Sequence, residues 1–420
     1  TLMTKPVDLS SLQTFLVGGA VRDKLLNRDI IERDYLVVGV TPEQMLSLGF
    51  SQVGKDFPVF LHPNTKEEYA LARTERKQGH GYTGFVCYAA PDVTIEQDLQ
   101  RRDLTVNAMA MTTDGHIIDP YHGQQDLAAR VLRHVSPAFA EDPLRVLRVA
   151  RFAARYYQYG FTVAKETLSL MRKIAQSGEL EQLKAERIWK ETERALTEPN
   201  PEIYIDVLRQ CRALAVIWPE LDALWGVPTP VEHRPEICSG AHTMLVLKQA
   251  AQLSASSKLR FAALCHDLGK GLTPKTNWPK HHDHEEAGLA LVNKSCQRFK
   301  VPNSYRELAL KVCEFHLIIH RALELKPITI FKLLESCKAY KDMTLLTELI
   351  TVCFADSLGR QGAEDTTYPQ QDYLLQQAEQ IRLVTAQPFV ESGLQGKAIK
   401  EAMNKAQLDN IAKLKTTYQR

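Results

Sequence analysis

The chain is 420 residues long, 44% apolar and 24% charged, with 52 Lys and Arg against 50 Asp and Glu. That length accommodates roughly two to four domains with ample buried core, and the composition is that of an ordinary soluble protein. A net charge of +2 leaves no global nucleic-acid footprint, so any such contact must come from local patches.

Eight cysteines occur, no two closer than 16 positions, so there is no C-x-x-C spacing for a metal or redox centre. They read as buried or free thiols in a reducing cytoplasm. The first residues, TLMTKPVDLSS, lack the apolar core of a signal peptide, and no apolar run reaches the ~18 residues a membrane span needs. The expectation is a soluble, cytoplasmic protein with no membrane partner.

In chain order, Phe15-Leu16-Val17 forms an apolar strand that stops at Gly18-Gly19, where backbone can approach a ligand closely. A short helix carries Val21-Arg22-Asp23. The chain returns as a strand, Asp34 to Val38, with Glu32 and Asp34 at its entrance. Residues two apart in an extended segment share a side, so Glu32 and Asp34 can share a divalent cation while Arg33 faces away. Paired carboxylates, glycine amides and an arginine are the equipment of metal-dependent phosphoryl transfer.

Thr41-Pro42-Glu43-Gln44 is a capping box with proline at the first helical position, and its helix ends near Gly49. PVFLH (Pro58 to His62) and EEYALAR (Glu67 to Arg73) read as paired strands. Thr74 to Pro91, rich in Gly, Tyr and charge, reads as a long mobile loop. Thr94-Ile95-Glu96-Gln97 is a second capping box, opening a helix that runs through Arg101-Arg102-Asp103 to Asn107, with Asp103 and Asn107 on one face. Arg145, Arg148, Arg151 and Arg155 recur at helical spacing opposite Leu144, Leu147 and Ala150, with no acid between them, which reads as a polyanion-binding stripe.

These stretches together resemble the nucleotidyltransferase superfamily that extends RNA 3′ ends, the tRNA CCA-adding enzymes and bacterial poly(A) polymerases of the second class. The match lies in G-G-x-V-R-D from Gly18 to Asp23 and in Glu32-x-Asp34, where the family usually shows Asp-x-Asp. The resemblance implies Mg2+ at Glu32 and Asp34 as the catalytic centre, with Gly19 and Arg22 at the nucleotide. It also implies that Thr74 to Pro91 is the flexible loop needed for adding the final A. RRDLTVNA matches the family's R-R-D-x-x-x-N-A, which places Arg102 on nucleotide phosphate and Asp103 and Asn107 at the ribose. Glu141, Asp142 and Arg145 match its E-D-x-x-R motif, in which Asp142 and Arg145 read the Watson-Crick edge of CTP or ATP, and Arg148 and Arg151 then fit the triphosphate. Glu186 to Glu191 resembles a fifth motif that supports a helical neck.

Between His233 and His320 lie 8 of the 13 histidines. His266-Asp267, in RFAALCHDLGKG, resembles the H-D signature of metal-dependent phosphohydrolases, with His242, His284, His316 and Asp356 completing that family's pattern. Ligands so far apart in sequence converge only in a helical bundle. The donor set suits nickel, manganese or magnesium alike. No role is assigned to His281, His282 or His320, and the polar helical stretch beyond residue 360 carries no motif.

The expected architecture is α+β. A mixed α/β nucleotidyltransferase head occupies residues 1–140, a helical neck and base-selecting region 141–225, a helical HD-type domain 226–360 whose boundary is marked by the proline-rich Gly226 to Glu236, and a helical C-terminal region 361–420. Head, neck and appended phosphohydrolase resemble the bacterial CCA-adding enzymes that carry an HD domain. The resemblance implies addition of C, C and A to tRNA from CTP and ATP, hydrolysis of phosphomonoesters or 2′,3′-cyclic phosphates, and a monomer or homodimer. Alternatives are a poly(A) polymerase, or a phosphohydrolase whose head only binds tRNA.

Overall fold

The computed structural model describes residues 8–54, 59–77, 85–228, 238–272, 284–360 and 362–418, with 76, 77, 85, 86, 284 and 285 described by backbone alone. The chain is α+β and divides into two compact units, 1–191 with 203–217, and 192–202 with 218–420.

The first unit is organised by a seven-stranded sheet. Its elements are β1 (Gln13–Val17), α1 (Gly19–Leu25), β2 (Asp34–Val38), α2 (Pro42–Ser47), β3 (Ser51–Val53), β4 (Val59–Leu61), β5 (Glu68–Leu71), β6 (Thr74–Lys77), β7 (Phe85–Tyr88), α3 (Ile95–Gln100), β8 (Ala110–Met111) and β9 (Ile117–Ile118). Strand order is β3-β4-β5-β2-β1-β8-β9; β2 and β5 run parallel and the other pairs antiparallel. Central β2 is apolar on both faces because both are covered. Leu36 packs with Val17, Val93 and Leu99, while Val37 packs with Met45, Phe50 and Phe60.

Both capping boxes form, Thr41 with Gln44 and Thr94 with Gln97. The expected loop at 74–91 differs at its ends: β6 and β7 pair as an antiparallel ribbon from Thr74↔Tyr88 to Lys77↔Phe85, since β-favouring Phe85, Val86 and Tyr88 can be paired there. Its tip, 78–84, lies outside the described residues. The unit continues through α4 (Gly123–Ala129) and α5 (Leu144–Tyr156) into a helical segment.

The second unit is helical. Helices Ser239–Leu253, Ser257–Cys265, His284–Phe299, Asn303–His320 and Thr344–Leu358 pack as a bundle. Its core holds Leu247, Phe261, Leu264, Val292, Leu308, Val312 and Leu349, and Trp218 stacks on Phe261 while donating Nε1–H to Ser295 Oγ at 2.9 Å. Helices Pro369–Arg382 and Lys397–Thr417 pack together, the latter also against Pro327–Ser336. No helix among the described residues is long and apolar enough to cross a membrane.

Candidate functional site

In the first unit, β1 and β2 pair with Val17 opposite Asp34, so the register sets this carboxylate beside the turn that β1 enters. Gly18 has φ +68°, and a Cβ there would lie 3.2 Å from Arg102 Nη1; a Cβ on Gly19 would lie 3.0 Å from Arg22 Nη2. Two guanidiniums therefore lie against the glycine turn, and the left-handed backbone at Gly18 is one that other residues rarely adopt. Arg22 is 5% exposed, donates Nη1–H to Asn107 Oδ1 at 2.6 Å and Nε–H to Asp23 Oδ1 at 3.1 Å, and packs against the rings of Phe152 and Tyr156.

Glu32, Asp34, Glu67 and Glu68 line a cleft of about 300 Å3, together with Arg33 and Lys66. Arg33 was expected to face away, but the strand starts only at Asp34, so strict two-residue alternation does not reach back to Glu32. The parallel β2–β5 register adds a carboxylate, setting Glu68 opposite Asp34. Desolvation, and then the Glu32 charge, raise the pKa of Asp34, while Arg102 opposes both. Carboxylates that repel one another across an open cleft fit a hard divalent cation with oxygen ligands.

The helix expected through Asn107 stops at Gln100. The Asp103 side chain accepts from its neighbour's amide, Leu104 N, at 2.7 Å, and Leu104 is extended and bridges to His134, so the helix cannot continue. Asp103 and Asn107 still meet, with Asn107 Nδ2 donating to Asp103 Oδ1 at 3.3 Å. Arg102 is held by Asp98, which accepts from its Nε at 3.3 Å and Nη2 at 3.2 Å. Burial works against the Asp98 carboxylate, yet Arg101 and Arg102 keep its pKa lowered.

The arginine stripe on α5 forms, but it is not an open basic surface. Arg145 and Arg151 are 8% and 3% exposed. Arg145 donates to Ala138 O at 2.9 Å and to Arg101 O, Arg148 Nε donates to Asp103 Oδ2 at 2.8 Å, and Arg151 Nε donates to Glu191 Oε2 at 2.6 Å. The acids missing from the stripe itself are supplied by other elements. Burial disfavours charge on Asp103, but Arg148 overrides it and holds the carboxyl well below its usual range. Asp142, extended before α5, accepts from Arg187 Nη2 at 3.1 Å, and Glu141 ends the preceding 3-10 turn.

In the second unit, four helices bring His242, His266, Asp267, His316 and Asp356 together. His266 and Asp267 follow the end of helix Ser257–Cys265 and are 0% and 2% exposed. His266 Nε2 lies 3.1 Å from Asp267 Oδ2 and 3.4 Å from Asp356 Oδ1; His242 Nε2 lies 2.8 Å from Asp356 Oδ1, and His316 Nε2 3.2 Å from Asp267 Oδ1. Ligand atoms of His242, His266 and Asp356 all lie within 4.8 Å of one another. The side chain of His284, like His281 and His282, lies outside the described residues.

A cation fits these residues. His242, His266 and His316 each set Nδ1 on a backbone carbonyl, Gly359 O at 3.0 Å, Ala263 O at 2.7 Å and Val312 O at 2.9 Å. A carbonyl only accepts, so Nδ1 carries the hydrogen, and in the neutral rings each bare Nε2 faces a carboxylate oxygen. Buried His266 Nε2 has no hydrogen-bond partner. Burial disfavours the charged His266 ring, yet Asp267 and Asp356 outweigh it and push its pKa up to about 10, so the site strongly favours positive charge.

Residues 14–133 match the family described as the poly A polymerase head domain, 160–224 that of a probable RNA and SrmB-binding site of polymerase A, and 240–361 the HD domain. The fold is similar to that of a CCA-adding enzyme in complex with ATP, at 20% identity and TM-score 0.65, covering 96% of this chain and 86% of that one. It is similar to the Bacillus stearothermophilus CCA-adding enzyme in complex with CTP, at 21% identity and TM-score 0.62, covering 96% and 90%. It also resembles the Thermotoga maritima CCA-adding enzyme complexed with tRNA, at 18% identity and TM-score 0.63, covering 98% and 92%. The chain has the domain set and the fold of a CCA-adding enzyme with an HD domain.

In the first unit, sequence reading missed Glu68, Asp98 and the aromatic wall of Phe152 and Tyr156 behind Arg22. Only Asp98 had a local signal, its four-residue step to Arg102. In the HD domain it missed what surrounds Asp356, where His320 Nε2 lies 2.6 Å from Oδ2.

Proposed function

We propose that the head adds C, C and A to the 3′ end of tRNA from CTP and ATP, and that the HD domain is a divalent-metal phosphohydrolase acting on phosphomonoesters or 2′,3′-cyclic phosphates. The observation that carries the first reading is the convergence of Gly18, Gly19, Arg22, Arg102 and Asn107 beside the Glu32 and Asp34 cleft.

In this reading Glu32 and Asp34 hold Mg2+, with Glu68 beside them. The bound ion supplies Lewis acidity toward the phosphates and favours ionisation of the attacking 3′-hydroxyl. Arg22 and Arg102, each fixed by a side-chain partner, offer guanidinium donors to phosphate at the glycine turn. Asp103 and Asn107, already hydrogen-bonded to each other, take the ribose side. Arg148 and Arg151 stand on the triphosphate side, held by Asp103 and Glu191.

Base choice falls to Asp142 and Arg145. Both are held rigidly, Asp142 by Arg187 and Arg145 by two carbonyls. A fixed carboxylate accepts from the exocyclic amine shared by C and A, and a fixed guanidinium donates to ring nitrogen or the cytosine oxygen. G and U present the opposite pattern there and leave groups unpaired, which is where strong rejection comes from.

The test incubates the protein and Asp34→Ala with a tRNA transcript lacking CCA, Mg2+, CTP and ATP, and sequences the products. Addition that stops after C, C and A and is lost in Asp34→Ala is expected. A long A tail indicates a poly(A) polymerase instead, and no addition by the parent overturns the transferase reading. Glu32→Gln should lower addition by about a hundredfold to a thousandfold, the several kcal/mol a metal's charge stabilisation supplies. For the HD domain, hydrolysis of 2′,3′-cyclic AMP by the Co2+-loaded parent, lost in His266→Ala, is expected; equal rates in both overturn that reading.

A further inference from the structure

Asp356 accepts at both of its carboxylate oxygens. Oδ1 faces His242 and His266, and Oδ2 lies 2.6 Å from His320 Nε2. A carboxylate oxygen at this distance accepts, so His320 Nε2 donates to it. His320 Nδ1 lies 2.8 Å from the Tyr368 hydroxyl. With the ring hydrogen on Nε2, His320 Nδ1 accepts, and the Tyr368 hydroxyl donates to it. Three further contacts fix the arrangement. Tyr368 is 8% exposed and stacks on Phe354, Gln370 Nε2 donates to His320 O at 2.8 Å, and the rings of His320 and Tyr368 meet edge-on. Tyr368 lies beyond residue 361, where the match to the HD domain ends.

We propose that His320 and Tyr368 are positioning residues of the HD centre: Tyr368 orients His320, and His320 ties down Asp356 Oδ2 so that Oδ1 is presented beside His242 and His266 as a metal ligand. This rests on the metal-site reading above. Outer partners that orient a ligating carboxylate typically change metal affinity by about ten- to a hundredfold when removed. His320 itself is spent on a carboxylate and a phenol, which distinguishes it from the three rings whose Nδ1 atoms bind backbone carbonyls.

The full-length protein, stripped with chelator, is titrated with Co2+, whose visible bands report imidazole and carboxylate donors. His266→Ala serves as the blank for other sites. His320→Ala should weaken Co2+ binding about ten- to a hundredfold and alter the bands, Tyr368→Phe should weaken it by less, and His320→Gln should recover part of the loss because its amide can still donate to Oδ2. Melting temperatures of the metal-free proteins separate folding from binding. A lower metal-free Tm with unchanged Co2+ affinity and spectrum in these variants means a merely structural role and overturns the proposal. Should His320→Ala fail to fold, Tyr368→Phe decides, since it removes one oxygen and leaves the ring stack. A parent with no bands above the His266→Ala blank overturns the metal-site reading and this proposal together; bands in the parent with affinity unchanged in Tyr368→Phe and His320→Ala overturn this proposal alone.

Discussion

Arg22 Nη1 donates to Asn107 Oδ1 at 2.6 Å across 85 positions of sequence. The bond joins the helix that follows the glycine turn to the short 3-10 turn Thr105–Asn107, and so aims the Arg22 guanidinium over Gly19. Asn107→Ala leaves that cation without its buried acceptor. A hydrogen bond to a charged group is worth about 1.5–3 kcal/mol, so kcat/KM for CTP should fall by roughly ten- to a hundredfold. Steady-state incorporation assays check this; an unchanged kcat/KM removes Arg22 from the nucleotide site.

Arg151 and Glu191 form a buried pair, 3% and 4% exposed, at 2.6 Å. Removing Arg151 leaves the buried Glu191 carboxylate with only the more distant Arg148 Nη1, 3.8 Å away, to offset its charge. Arg151→Met should therefore lower unfolding free energy by about 3–5 kcal/mol, whereas Arg151→Met with Glu191→Leu should cost much less. Urea midpoints of the single and double variants decide between this and a weak surface pair, for which both would lie near the parent.

Asp103 has its pKa held well below the usual range by Arg148, after burial is overcome. Its unfolded value is about 3.9, so the stability contributed by the folded carboxylate is fully present above that value and is lost as pH falls towards the folded one. The urea-midpoint gap between parent and Asp103→Asn should be widest near neutral pH and narrow progressively below about pH 4. A gap that widens with acid contradicts the assignment.

Of the eight free cysteines, Cys87 and Cys238 are half-buried and the other six buried. Burial pushes the Cys211 thiol up to about 11 and Cys337 up to about 12, and holds Cys265 and Cys353 well above the ordinary thiol value. A thiolate is the reacting species. Ellman's reagent at pH 8 should accordingly titrate no more than two thiols quickly in the native protein and all eight in denaturant.

What the sequence determined by itself is local. The Gly18-Gly19 turn, both capping boxes, the strand entering at Asp34 and the His266-Asp267 pair are each set by residues within a few positions of one another, where backbone preference and side-chain reach decide the outcome. The three- and four-residue spacing on α5 likewise placed its arginines on one stripe. Only the tertiary structure decided what that stripe meets: Arg148 and Arg151 find Asp103 and Glu191, 45 and 40 positions away. The stop after Gln100 belongs to the same class, since Leu104 leaves the helix for a bridge to His134. Glu68 comes beside Asp34 through a parallel register, and Tyr368 reaches Asp356 through His320 from beyond the recognisable motif. Periodicity says which residues share a face; it carries no information about which distant element that face will meet, because pairing between elements is fixed by register and close packing of the whole chain.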